Sequence, residues 1–210
     1  LFDFQHEGIE FLSKRQYALL AHEQGLGKSC MAIVAAKSID IDHALIICPS
    51  SVKYNWQKEI EIWDPVASIH ILKNTKDLGD IHTTYLIVNY DLIHRAEVAR
   101  YLLNRNYDLV ICDEAHYIKN SRSKRSKMVL AKSGLADKAG RVWLLTGTPV
   151  LNRPVEIFPM LRRFMPDRLG RYTDYINFTK RYCAGYHGKF GWDVRGASNI
   201  PELASHLDGF

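Results

Sequence analysis

The 210-residue chain has no two cysteines in a Cys-x-x-Cys pair and no Cys/His cluster at zinc-ligand spacing. Its four cysteines, Cys30, Cys48, Cys112 and Cys183, lie far apart, so the spacing of a zinc finger is missing. Three of them sit within or beside apolar runs, where a free thiol behaves as a small hydrophobe, and a reducing intracellular setting is expected. No stretch approaches the roughly 20 unbroken apolar residues of a membrane helix, so no membrane partner is expected. The first residues, Leu1-Phe2-Asp3-Phe4-Gln5, lack an initiator Met and any signal-peptide pattern, so the chain is expected to be part of a larger protein. Internal repeats and low-complexity tracts are absent too.

What is present suits a packed domain. Hydrophobic residues make up 47% of the chain, ample for a core and too much for a disordered segment. Lysine and arginine exceed aspartate and glutamate by 28 − 23 = 5. The excess is concentrated in Lys119, Arg122, Lys124, Arg125 and Lys127, and again in Arg162, Arg163, Arg168, Arg171, Lys180 and Arg181. Such clusters fit a polyanion partner, and equally a solvated helix face.

Apolar runs of strand length alternate with helix-length segments, the pattern of a parallel sheet covered on both faces. Strands are expected over 17–21, 44–48, 69–72, 85–88, 109–112 and 142–145. Helices are expected over 28–38, 52–63, 91–103, 123–132 and 155–164, with 172–182 and 200–207 also suited to helix. The alternation stops near Phe164-Met165-Pro166. Residues 1–165 are therefore read as a nucleotide-binding domain and 166–210 as a basic, aromatic-rich helical and loop extension. Its aromatics would either bind nucleic acid or form a minor core.

Two motifs carry chemistry. Gln24-Gly25-Leu26-Gly27-Lys28-Ser29 follows the first strand and opens a helix, with His22 where the strict phosphate-loop pattern has Gly. Glycines let backbone N–H groups close around phosphate oxygens, Lys28 reaches the β/γ-phosphates, and the Ser29 hydroxyl can ligate Mg²⁺. Asp113-Glu114-Ala115-His116 follows the strand 109–112, where Asp113 would hold the metal and Glu114 would orient water. Other strands lead to Pro49-Ser50-Ser51, Asn89-Tyr90-Asp91 and Thr146-Gly147-Thr148-Pro149. In an open α/β sheet ligands bind outside the carboxyl ends of the strands, so all five signatures should share one edge.

In this order the motifs resemble the Swi/Snf-type DNA translocases, superfamily 2 helicase-like ATPases with a RecA-like α/β fold. Residues 1–12, with Gln5 and Gly8, resemble the family's adenine-reading segment. Glu23 to Ser29 resembles its phosphate loop, where Asp-Glu-Met-Gly-Leu-Gly-Lys-Thr is commoner; here His22, Gln24 and Ser29 replace the Asp, Met and Thr. Cys48 to Val52 with Asn55-Trp56 and Glu59 resembles a segment that touches the DNA backbone. The acidic motif with Ile118-Lys119-Asn120, and Leu145 to Pro149 with Asn152, match the next two. Arg181-Tyr182-Cys183 and Trp192 to Asn199 resemble the annealing-helicase branch.

The resemblance implies ATP and Mg²⁺ as cofactors, and double-stranded DNA, bound through its backbone, as partner. It implies that Gln5 reads adenine and that His116 with Thr146 to Thr148 links nucleotide to DNA. Ser50, Ser51, Lys53, Asn89 and Lys119 become candidate DNA contacts, although Asn89, Thr146 and Thr148 equally suit turns, Gln5 a cap or solvent, and Trp56 the core. A second RecA-like lobe, supplier of arginine fingers, should lie outside this chain, leaving it nearly inactive alone. The setting would be cytoplasmic in bacteria or phage and nuclear in eukaryotes.

Two alternatives stand beside this. A DEAH-type RNA helicase shares Asp-Glu-Ala-His, but usually has Ser-Ala-Thr where Leu145-Thr146-Gly147-Thr148-Pro149 stands here. A non-catalytic, nucleotide-gated DNA scaffold would not need the intact Lys28, Asp113 and Glu114.

Overall fold

The computed structural model describes residues 1–147, 153–189, 191–208 and 210. Six parallel strands form one sheet: β1 (Tyr17–Ala21), β2 (Ala44–Cys48), β3 (Ile69–Ile71), β4 (Tyr85–Asn89), β5 (Tyr107–Cys112) and β6 (Ala139–Thr146). Their spatial order is β1-β6-β5-β2-β4-β3. Parallel neighbours cannot be joined by tight turns, so the chain crosses over between them, mostly through helices. These are α1 (Asp3–Ser13), ahead of β1, then α2 (Lys28–Ser38), α3 (Lys53–Trp63), α4 (Ala96–Leu103) and α5 (Lys124–Leu130).

Both faces of the sheet are dry, which is why its strands read as continuous apolar runs rather than alternating ones. Along β2, Ala44, Ile46 and Cys48 face a core built with α1, α2 and α3. Leu45 and Ile47 face the opposite core, under α4, α5 and α6 (Pro154–Phe164). The four cysteines are buried and free. Burial pushes the Cys48 and Cys112 thiols up to about 12, so they act as packing groups.

The strands begin and end within a residue or two of the expected positions, apart from the start of β6. The segment after β4 differs more. Helix was expected from Asp91, but α4 starts at Ala96, because the Asn89 Oδ1 accepts the Leu92 N–H at 3.1 Å and turns the chain there. At the N-terminus, α1 lies so close to α2 that a Cβ on Gly8 would collide with the Met31 sulfur.

Beyond α6 come α7 (Pro166–Leu169), α8 (Tyr175–Tyr182) and α9 (Ile200–Leu207). Phe178, Tyr182, Leu203 and Phe210 are buried in the same core as α6, so these aromatics pack rather than reach outward. Between α8 and α9 an antiparallel hairpin, β7 (Tyr186–Gly188) with β8 (Gly191–Asp193), stands where only helix and loop were expected. Its three-residue strands are too short to show alternation. Among the described residues no helix is long and apolar enough to cross a membrane.

Candidate nucleotide site

Strand register brings the polar signatures to one edge. Ala21 of β1 pairs with Thr146 of β6, Cys112 of β5 with Leu144, Ile47 of β2 with Cys112, and Cys48 with Asn89 of β4. The residues that follow these strand ends line a single rim. The phosphate loop and the acidic pair flank the end of β6.

The loop takes its shape from Gly25 and Gly27, whose φ angles of 83° and 77° lie in the left-handed region that favours glycine. Gly27 caps α2, so Lys28 and Ser29 occupy that helix's first turn. Lys28 is buried, and its Nζ donates to the carbonyls of His22 at 2.8 Å and Glu23 at 2.9 Å. Burial lowers its pKa, while the nearby Glu114 and Asp113 charges oppose the fall. Burial also lowers the pKa of His22, helped by the Lys28 charge. Gln5 lies beside the loop: its Nε2 donates to the Leu26 carbonyl at 3.3 Å, while its Oε1 accepts the Phe2 N–H at 3.0 Å. Gln24 and Leu26 are exposed on the loop. A Cβ on Gly147 would press Gln24 at 2.7 Å and meet the Lys28 Nζ at 3.5 Å, so the end of β6 approaches the loop closely.

Across β6, Asp113 is held on both oxygens. Its Oδ2 accepts the indole N–H of Trp56 at 2.9 Å, and its Oδ1 accepts the Glu114 N–H at 2.9 Å. Burial raises its pKa and the Trp56 hydrogen bond counters the rise. The Asp113 carbonyl accepts the Tyr90 hydroxyl at 2.8 Å, and the Tyr90 ring stacks on Tyr117 at 5.1 Å. This scaffold holds Glu114 at φ 49°, a conformation costing a non-glycine residue about 1–3 kcal/mol. The Glu114 Oε2 and the His116 Nδ1 are buried and face each other at 3.2 Å.

The remaining candidates differ in exposure. Ser50 and Ser51 are exposed after β2, while Lys53 is buried near Cys48. Asn89 is buried with its oxygen engaged in the turn already described, and Thr146 is buried at the end of β6. Lys119 is exposed and its Nζ donates to the Glu156 carboxylate of α6 at 2.9 Å. Thr148 and Asn152 lie outside the described residues. Trp56 was legible as core, but not as the donor that fixes Asp113. Tyr90 went unread as well, and its place directly after Asn89 at a strand end was the only signal.

The residues fit a Mg²⁺-nucleotide. A glycine-shaped loop, an ammonium, a hydroxyl and a desolvated carboxylate are the donors that phosphates and a hard cation take. Among the described residues no group of three or more His, Cys, Asp or Glu side chains could hold a metal ion.

Fold and site together define a RecA-like phosphate-loop domain. The chain belongs to the SNF2-related domain family, whose profile matches residues 4–206. It is 39% identical over 215 residues to the DNA annealing helicase and endonuclease ZRANB3 of Homo sapiens, covering 97% of this chain and 19% of that protein. It is 35% identical over 207 residues to the Drosophila melanogaster SWI/SNF-related matrix-associated actin-dependent regulator of chromatin subfamily A-like protein 1, covering 97% of this chain and 26% of that one. The chain thus spans about a fifth to a quarter of these relatives. Its fold matches the Sulfolobus solfataricus SWI2/SNF2 ATPase core in complex with dsDNA, with a TM-score of 0.77 and 23% identity over 99% of this chain and 43% of that one. The Swi/Snf resemblance, including its annealing-helicase branch, therefore stands. The Asp-Glu-Ala-His spelling does not make this a DEAH-box protein: the family match is to SNF2-related domains, and the RNA-helicase alternative falls away.

Proposed function

We propose that residues 1–165 are the ATP-binding first lobe of a Swi/Snf-type translocase on double-stranded DNA, with 166–210 the start of a family-specific extension. The observation that carries this reading is the phosphate loop and the acidic pair on either side of the end of β6, with the Lys28 Nζ 3.5 Å from where a Cβ on Gly147 would stand. Bound Mg²⁺ would neutralise the phosphates and polarise the bond to be broken. Ser29 and Asp113 would hold it, the backbone N–H groups of Gly25 and Gly27 would cradle phosphate oxygens, and Lys28 would neutralise their charge. Gln5, beside the loop, would read the adenine edge.

Glu114 is the general base, orienting water and accepting its proton. Its carboxylate faces His116, the group that would pass the nucleotide state towards DNA contacts at Ser50, Ser51, Lys53, Asn89, Lys119, Thr146 and Thr148. Hydroxyl, amide and ammonium groups bind phosphate oxygens without reading bases, which suits travel along any sequence. A second lobe would close over the nucleotide, and the setting would be intracellular. The test uses the full-length protein. Lys28→Ala should abolish ATP binding, while Glu114→Gln should keep it and slow turnover about 10²–10⁴-fold. Normal turnover by Glu114→Gln, or stimulation by RNA rather than duplex DNA, would overturn the reading.

A further inference from the structure

The β7–β8 hairpin has two unlike sides. On one, His187 pairs across the strands with Trp192, their rings edge to face at 5.0 Å. The Trp192 indole N–H donates to the Thr179 hydroxyl at 3.0 Å, which fastens this side to α8. The other side carries Tyr186 opposite Asp193, and next to them the paired Gly188 and Gly191, which have no side chains.

Tyr186 is 58% exposed, while the neighbouring rings of Phe178 and Tyr182 on α8 are buried. Its ring edge lies 3.6 Å from the position a Gly188 Cβ would take, so the ring borders a bare glycine floor. Next to it Asp193 grips Arg195: the Arg195 Nε donates to the two Asp193 oxygens at 3.1 and 3.0 Å, and the Arg195 N–H to Oδ1 at 2.9 Å. The guanidinium is therefore held in place yet open to solvent. Together with Lys189 and Val194, these residues bound a hollow of about 500 Å³. The Asp193 carboxylate balances the Arg195 charge through Nε and one terminal nitrogen, so what the solvent-exposed guanidinium still offers is its other N–H edge, beside an exposed ring and a glycine floor. That is the chemistry that takes an unpaired nucleobase by its face and the adjoining phosphate by its oxygens. A base inside a duplex is stacked on both faces, so the interior of duplex DNA would not use this ring.

We infer that the Tyr186 side of the β7–β8 hairpin is a stacking site for an unpaired base of single-stranded DNA, with Arg195 meeting the neighbouring phosphate. The site shares no residue with the nucleotide site. The test is fluorescence anisotropy of the 210-residue chain without nucleotide, so its outcome is separate from that of the turnover assay. Three labelled probes are used: an oligothymidylate of about ten nucleotides, an abasic strand of equal length, and a blunt duplex. Tyr186→Ala should weaken oligothymidylate binding about five-fold or more and leave the other two affinities unchanged, while Tyr186→Phe should bind like the parent. Far-UV circular dichroism checks that the variants fold. Unchanged oligothymidylate binding in Tyr186→Ala, an equal loss on the abasic strand or the duplex, a Phe variant as weak as the Ala variant, or a parent that binds the abasic strand as well as the base-bearing one would each overturn the assignment.

Discussion

An indole at the helix–sheet interface does two jobs in this lobe. Trp56 fills the core under α3, and its single N–H solvates one oxygen of a carboxylate that burial would otherwise push towards the neutral form. Removing a donor from a buried charged group costs about 1–3 kcal/mol. In the full-length protein Trp56→Phe, which keeps an aromatic ring in place, should lower ATP turnover at subsaturating Mg²⁺ and be partly rescued by excess Mg²⁺. Trp56→Ala should add a cavity cost of about 3–5 kcal/mol and lower the melting midpoint markedly. A Phe variant with parental turnover at all Mg²⁺ concentrations would show that Asp113 needs no such partner. The core place of Trp56 was legible in the sequence, but its bond to Asp113 was not, because it joins residues 57 positions apart. The gathering of Lys28, Ser29, Asp113 and Glu114 at one rim was legible, because they sit in contiguous motifs at the carboxyl ends of strands flanking β6.

At the scale of elements, α8 and α9 are tied by the Glu202 carboxylate, beside a 2.9 Å contact between the Tyr182 hydroxyl and the His206 Nε2. Glu202 accepts from Arg181 (Nε to Oε2, 3.1 Å) and from the Tyr182 hydroxyl at 2.8 Å, and these bonds hold its carboxyl below the usual range. A depressed acid contributes stability above its unfolded value and loses it as pH falls through its folded value. Glu202→Gln should therefore melt earlier than the parent at neutral pH, and the gap should close in acid. A gap that persists unchanged at low pH would mean that the carboxylate charge is not what ties the helices. The main strands were readable from their unbroken Val, Ile and Leu runs, which only a doubly covered sheet explains. Asn89 suits a turn on sequence alone, but the late start of α4 at Ala96 was not legible, because the Asn89 side-chain oxygen ended what composition would have continued as helix from Asp91. The hairpin escaped notice because two glycines, rather than alternating residues, define it.

For the molecule as a whole, the loop and the acidic pair share one sheet edge, where the proposed second lobe would supply the other side of a nucleotide's surroundings. The 210-residue chain should bind Mg²⁺-nucleotide yet hydrolyse it near background, and duplex DNA should barely stimulate it. The full-length protein should turn over about 10³–10⁵-fold faster if a second lobe contributes an arginine. Comparing kcat of the two, with and without duplex, checks this. Strong DNA-stimulated hydrolysis by the chain alone would place the activating arginine within it. The sheet order has a consequence for what such a site accepts. With β6 inserted between β1 and β5, the roots of the loop and of the acidic pair stand roughly 9.5 Å apart. Inter-strand hydrogen bonds do not stretch, so that gap is a fixed gauge set by backbone rather than by adaptable side chains. Gly147 stands at its opening, where any larger residue would narrow the aperture from the middle.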